Sequence, residues 1–152
     1  MLFRSDRLSN VYHAMMLGLR DYVTKNRFPG VVLGLSGGID SALSAAVAVD
    51  ALGADKVRAV MMPSQYTADM SREDAEAEAR LLGVRYTVIA IRPVYDAFMT
   101  ALSSEFAGLA PDTTEENLQS RIRGTLLMAM SDRKSTRLNS SHSQQSRMPS
   151  SA

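Results

Sequence analysis

Ser36, Gly37, Gly38, Ile39, Asp40 and Ser41 bring two hydroxyls, two glycines and a carboxylate together directly after the apolar run Val31-Val32-Leu33-Gly34-Leu35. That order suits an oxyanion. A buried strand that ends in a glycine-rich turn and opens a helix aims several backbone N–H groups at one point, backed by the positive end of the helix dipole. Glycine permits close approach and positive φ, and serine hydroxyls add donors for phosphate oxygens. Residues Gly34, Leu35, Ser36, Gly37, Gly38, Ile39, Asp40 and Ser41 are therefore the candidate phosphate-binding loop.

Two familiar phosphate loops do not fit. No lysine follows the glycines, as G-x-x-x-x-G-K-[ST] requires, and Gly34-Leu35-Ser36 fails the third position of G-x-G-x-x-G. Asp40 would repel a phosphate unless a cation lay between them, which points to Mg2+ held jointly by the carboxylate and a polyphosphate. The same aspartate also suits a first-turn residue favoured by the helix dipole, and the loop alone does not choose between the two.

The flanking pattern supplies the elements that must position this loop. Leu8, Val11, Tyr12, Met15, Leu19, Tyr22 and Val23 recur at helical spacing, predicting a core-facing helix over residues 8–25 with Ser5 or Ser9 as cap. Val31–Leu35 reads as a strand buried on both faces, residues 40–52 as a buried helix closed by Gly53, and Val57–Met62 as a second strand. Ser71 and Asp74 resemble a capping box for a helix that stops at Gly83, and Val84–Ile91 is a third strand. Val94, Phe98, Leu102, Phe106 and Leu109 predict a helix ending before Pro111; Asp112-Thr113-Thr114 caps another, with Leu118, Ile122, Leu126 and Ala129 as its stripe. Strands alternating with helices imply an α/β fold, a Rossmann-like, doubly wound parallel sheet.

Composition narrows the function classes. The chain has 152 residues and no cysteine, which excludes disulfides and thiolate metal sites and fits a reducing, cytoplasmic setting. No apolar stretch approaches the roughly 20 residues of a membrane span. Of 17 basic and 16 acidic side chains, four basic and one acidic follow Ser131, so the mild basicity belongs to the tail and gives no support to nucleic-acid binding. Residues 132–152 have almost no apolar periodicity and seven serines in the last eighteen positions, so they are expected to be disordered. They look like translated adapter or cloning sequence, which places the end of the native domain at residue 131.

The string SGGIDS resembles the signature of the PP-loop ATP pyrophosphatases, enzymes that adenylate a substrate and release pyrophosphate. Two further stretches resemble NAD synthetases within that superfamily. Met61-Met62-Pro63-Ser64, Tyr66-Thr67, Ser71 and Asp74-Ala75 match one segment; Thr114 to Gly124, TEENLQSRIRG, matches another that contributes to binding deamido-NAD. Asn117 and Arg121 lie four apart, and an amide beside a guanidinium suits a dinucleotide, although a solvated helix face carries the same residue types. The likeness covers about residues 10–131 and is strongest to the synthetase domain of bacterial glutamine-dependent enzymes.

That resemblance implies ATP at residues 34–41 with Mg2+ on Asp40, deamido-NAD at Asn117 and Arg121, and a homo-oligomer. It also implies ammonia from a glutaminase domain that this chain lacks. The family's later strand and TGNKSE-type loop, with a second metal-binding Glu, have no counterpart after Ser131, so a truncated domain without activity of its own is expected. A GMP synthetase shares the first motif but does not explain residues 114–124. A non-catalytic nucleotide-binding module is the alternative of a different class.

Overall fold

Short β-branched runs flanked by glycine or proline, separated by Ala-rich stretches, settle into alternating strands and helices. A computed structural model describes residues 7–64 and 67–138. Helix α1 spans Arg7–Lys25, strand β1 Val31–Gly34, helix α2 Ile39–Leu52, strand β2 Val57–Met61, helix α3 Asp69–Leu81, strand β3 Arg85–Val88, helix α4 Arg92–Ala101 and helix α5 Thr113–Leu138. A 3-10 turn over Ala54–Lys56 joins α2 to β2.

The strands form one parallel sheet in the order β1-β2-β3. Val31 pairs with Val57 and Gly34 with Val60, while Arg58 pairs with Arg85 and Met61 with Val88. Alternate residues of the strands feed two cores. Leu33, Leu35, Ala59 and Met61 meet Ala45 of α2 and Ala75 and Ala79 of α3 on one face. Val32, Val60 and Met62 meet Ile122, Leu126 and Leu127 of α5 on the other. Helices thus cover both faces, as the Rossmann-like reading requires. The small alanines let α2 and α3 approach the sheet closely, and β2, paired on both sides, is the most buried strand.

Several expectations change in three dimensions. β1 is half-buried rather than enclosed, because among the described residues it has a neighbour on one side only. The stripe of α1 does not face a core. Only Val23 of that helix is buried, and Leu8 is 77% exposed, because α1 packs against α2 outside the sheet layers. There Arg20 Nε donates to the Ala51 carbonyl at 2.8 Å, and the Tyr12 hydroxyl donates to Asp50 Oδ2 at 2.7 Å, satisfying groups at the end of α2. Ser9 is no cap; it lies inside α1 beside His13, and Ser5 lies outside the described residues.

α3 begins two residues before Ser71, with Ala68 as an N-cap that makes no side-chain bond, so the Ser71–Asp74 box does not form. α4 stops at Ala101 because Ser103, Ser104 and Gly108, the last at φ 79°, turn the chain before Leu109. The cap of α5 forms as expected. Asp112 Oδ1 accepts the Thr114 N–H at 2.6 Å, and Glu115 Oε2 accepts the Asp112 N–H at 2.8 Å. α5 then runs to Leu138, so residues 132–138 are helical where disorder was expected; residues 139–152 lie outside the described part.

Candidate functional site

In a parallel sheet, the carboxyl ends of the strands and the amino ends of the following helices converge, and ligand sites form there. β1 delivers the chain to Leu35, whose N–H extends the ladder to the Val60 carbonyl at 2.9 Å. The turn that follows is held by its own serines. The Ser36 N–H donates to Ser41 Oγ at 3.1 Å, the two hydroxyls lie 2.9 Å apart, and the Gly38 N–H donates to Ser36 Oγ at 3.3 Å. Ser41 Oγ in turn donates to the Gly38 carbonyl at 2.8 Å.

Two glycines have definite jobs in this turn. Gly37 has φ 80°, and a Cβ built there would lie 2.2 Å from the Ser71 carbonyl oxygen of α3. A side chain is excluded both by conformation and by space. Gly38 is the N-cap of α2 and makes no side-chain cap bond, so the first-turn N–H groups of Ile39, Asp40 and Ser41 are left to whatever binds at the helix end. Asp40 is exposed in that first turn.

Beside the loop opens a cleft of about 600 Å³ between the ends of β1 and β2 and the facing side of α5. Gly34, Leu35 and Ser36 line it from the loop, Met62 and Thr67 from the segment after β2, and Ser120, Arg123 and Gly124 from α5. Arg123 Nε donates to the Met62 carbonyl at 3.1 Å, tying the helix to the end of β2. Partial burial lowers the pKa of its guanidinium from the usual value. Another cavity, of about 380 Å³, lies between Phe28-Pro29-Gly30 and Asp132, at the amino end of β1 and away from the loop.

The loop forms the strand-turn-helix that the sequence predicts, and Asn117 and Arg121 of α5 lie apart from the cleft beside it. Arg121 lines a separate cavity of about 170 Å³ with Val94, Phe98, Leu118 and Leu126, toward α4. There it shares a side of α5 with Leu118 and Leu126. Asn117 is exposed and lines neither cavity. The residues that do face the loop, Ser120, Arg123, Gly124 and Leu127, recur at steps of three and four. That spacing was available in the sequence, but choosing this face over its neighbour requires the crossing of α5 over β1. Gln119 is the buried polar residue of the same helix, set beside Ser64, Ile91 and Tyr95.

A sheet of this topology with a glycine-serine loop at the carboxyl end of β1 defines a nucleotide-binding α/β domain. The NAD synthase family model matches residues 11–148, and the chain belongs to that family. The match continues past Ser131, where the sequence reading placed the domain boundary. Glutamine-dependent NAD(+) synthetases of Acinetobacter baylyi and Xylella fastidiosa are 51% identical over 128 residues and 54% over 123 residues. Those alignments cover 84% and 81% of this chain but 24% and 23% of the relatives, so the chain spans about a quarter of their length.

Among solved structures, the glutamine-dependent NAD+ synthetase of Acinetobacter baumannii, determined with adenosine diphosphate, superposes with a TM-score of 0.86 at 47% identity. It is covered over 26% of its length, and this chain over 88%. The NH3-dependent NAD synthetase of Campylobacter jejuni gives 0.75 at 32% identity, covering 86% of this chain and 54% of that one. Among the described residues, no helix is long and apolar enough to cross a membrane.

Proposed function

We propose that the chain is the ATP-handling part of a glutamine-dependent NAD synthetase, which amidates deamido-NAD to NAD. The observation that carries this reading is the loop 34–41 at the end of β1, backed by a first turn of α2 that has no side-chain cap among the described residues, in a chain of the NAD synthase family. In the reaction, the nicotinate carboxylate of deamido-NAD attacks the α-phosphorus of ATP and pyrophosphate leaves. Ammonia then attacks the resulting acyl adenylate and AMP departs.

The chain's part is to bind and orient the triphosphate. The first-turn amides of α2 are open to the departing pyrophosphate, and the Ser36 and Ser41 hydroxyls can exchange their internal bonds for bonds to it. No side-chain nucleophile is needed, since the substrate carboxylate performs the attack.

Mg2+ fits this donor set as a companion of ATP. Among the described residues no cluster of three or more acidic or histidine side chains could hold a metal unaided. Asp40 supplies one hard oxygen at the helix end, and phosphate oxygens and water complete such a shell. When bound, the ion offsets charge that develops on the phosphates.

Deamido-NAD contacts at Asn117 and Arg121, ammonia from a glutaminase portion, homo-oligomeric assembly and a cytoplasmic setting belong to the same reading. So does a foreign origin for residues 132–152, which sequencing the source DNA past the Ser131 codon checks; native reads continuing into this tail refute it.

Two measurements test the proposal. The domain completed to the length of its relatives, given ATP, Mg2+ and ammonia, is expected to amidate deamido-NAD and not xanthosine monophosphate; the reverse preference overturns the assignment. In the chain itself, Asp40→Asn is expected to remove the gain in ATP affinity that Mg2+ gives, and an unchanged gain removes Asp40 from the metal role.

A further inference from the structure

Among the described residues, Arg123 is the one charged residue lining the cleft beside the loop, and no carboxylate lines that cleft with it. Its Nε is committed to the Met62 carbonyl, which fixes the plane of the guanidinium. The terminal NH2 groups make no hydrogen bond or ion pair among the described residues. A half-buried guanidinium with donors unspent is stabilised by an anion, and a planar fork held at one nitrogen is set to grip two oxygens at once.

We propose that Arg123 binds the diphosphate group of a nucleotide lying across the cleft from the Ser36–Ser41 loop. The inference rests on the reading of that loop as a phosphate site. Gly34, Leu35 and Ser36 of the loop line one side of that opening and Arg123 lines the other. Two ligands carry the required phosphoanhydride, ATP and a dinucleotide such as deamido-NAD.

The test is calorimetric titration of the 152-residue chain with Mg-ATP, pyrophosphate, deamido-NAD and adenosine. Arg123→Gln, Arg123→Lys and Ser36→Ala are compared with the unaltered protein, and circular dichroism checks that each is folded. Arg123→Gln is expected to weaken diphosphate ligands by about tenfold to a hundredfold, the scale of a lost charge-assisted bond, and to leave adenosine unchanged. Arg123→Lys keeps the charge without the fork and should recover part of the loss; should Arg123→Gln not fold, an Arg123→Lys affinity equal to the unaltered protein's overturns the proposal.

A loss confined to ATP and pyrophosphate assigns the ATP chain, and a loss confined to deamido-NAD assigns the dinucleotide; either supports the proposal. An equal loss for adenosine overturns it, because Arg123 then only shapes the cleft. Unchanged diphosphate affinity in Arg123→Gln, with a loss in Ser36→Ala, overturns it while leaving the loop reading intact. Diphosphate affinity insensitive to Ser36→Ala removes the loop reading itself.

Discussion

Gly37 shows how a single residue couples the loop to the rest of the molecule. Its positive φ and the nearby Ser71 carbonyl leave no place for a methyl group. Gly37→Ala is therefore expected to cost about 1–3 kcal/mol of stability from backbone strain, more if α3 cannot shift away. Urea denaturation measures this; an unchanged midpoint would mean that the turn relaxes freely. The sequence announced a phosphate loop through residue types alone. That the first turn of α3 buttresses Gly37 follows only from the crossover that brings residue 71 to residue 37.

At the scale of elements, the ends of helices decide where order begins. The α5 box is legible in Asp112-Thr113-Thr114-Glu115 because both partners are local, whereas Ser71 and Asp74 carry similar residue types and form no box. The Thr114 hydroxyl, and after it the Thr114 N–H, hold the Asp112 carboxyl below its usual value of 3.8. A carboxyl depressed on folding stabilises the native state above its unfolded pKa, and that contribution fades as pH falls through the folded pKa. The stability difference between the unaltered chain and Asp112→Ala should therefore be constant near neutrality and shrink as pH drops below about 4. Thermal unfolding at several pH values checks it, and a difference independent of pH would show that the carboxylate charge contributes nothing.

For the whole molecule, the unusual feature is apolar surface without cover. Leu8, Val11 and Met15 of α1 are 77%, 52% and 44% exposed, a continuous helical stripe rather than scattered residues. Contiguous apolar surface of this kind promotes association. Replacing Val11 and Met15 together by Lys should reduce self-association in sedimentation velocity while changing stability by less than about 0.5 kcal/mol each, as befits exposed positions. A large fall in melting temperature would show that these side chains pack more closely than their exposure indicates.

The sequence by itself determined the strand-helix alternation, the loop at residues 34–41, the glycine stop after α2 and the α5 cap. Each rests on periodicity or on partners a few residues apart, which the chain order already contains. Only the tertiary structure decided that β1 stands half-buried, that α1 lies on α2 instead of the sheet, and that Arg123 rather than Arg121 faces the loop. Those outcomes depend on which elements meet and at what angle. Two faces of one helix are alike in sequence until a neighbouring strand selects between them.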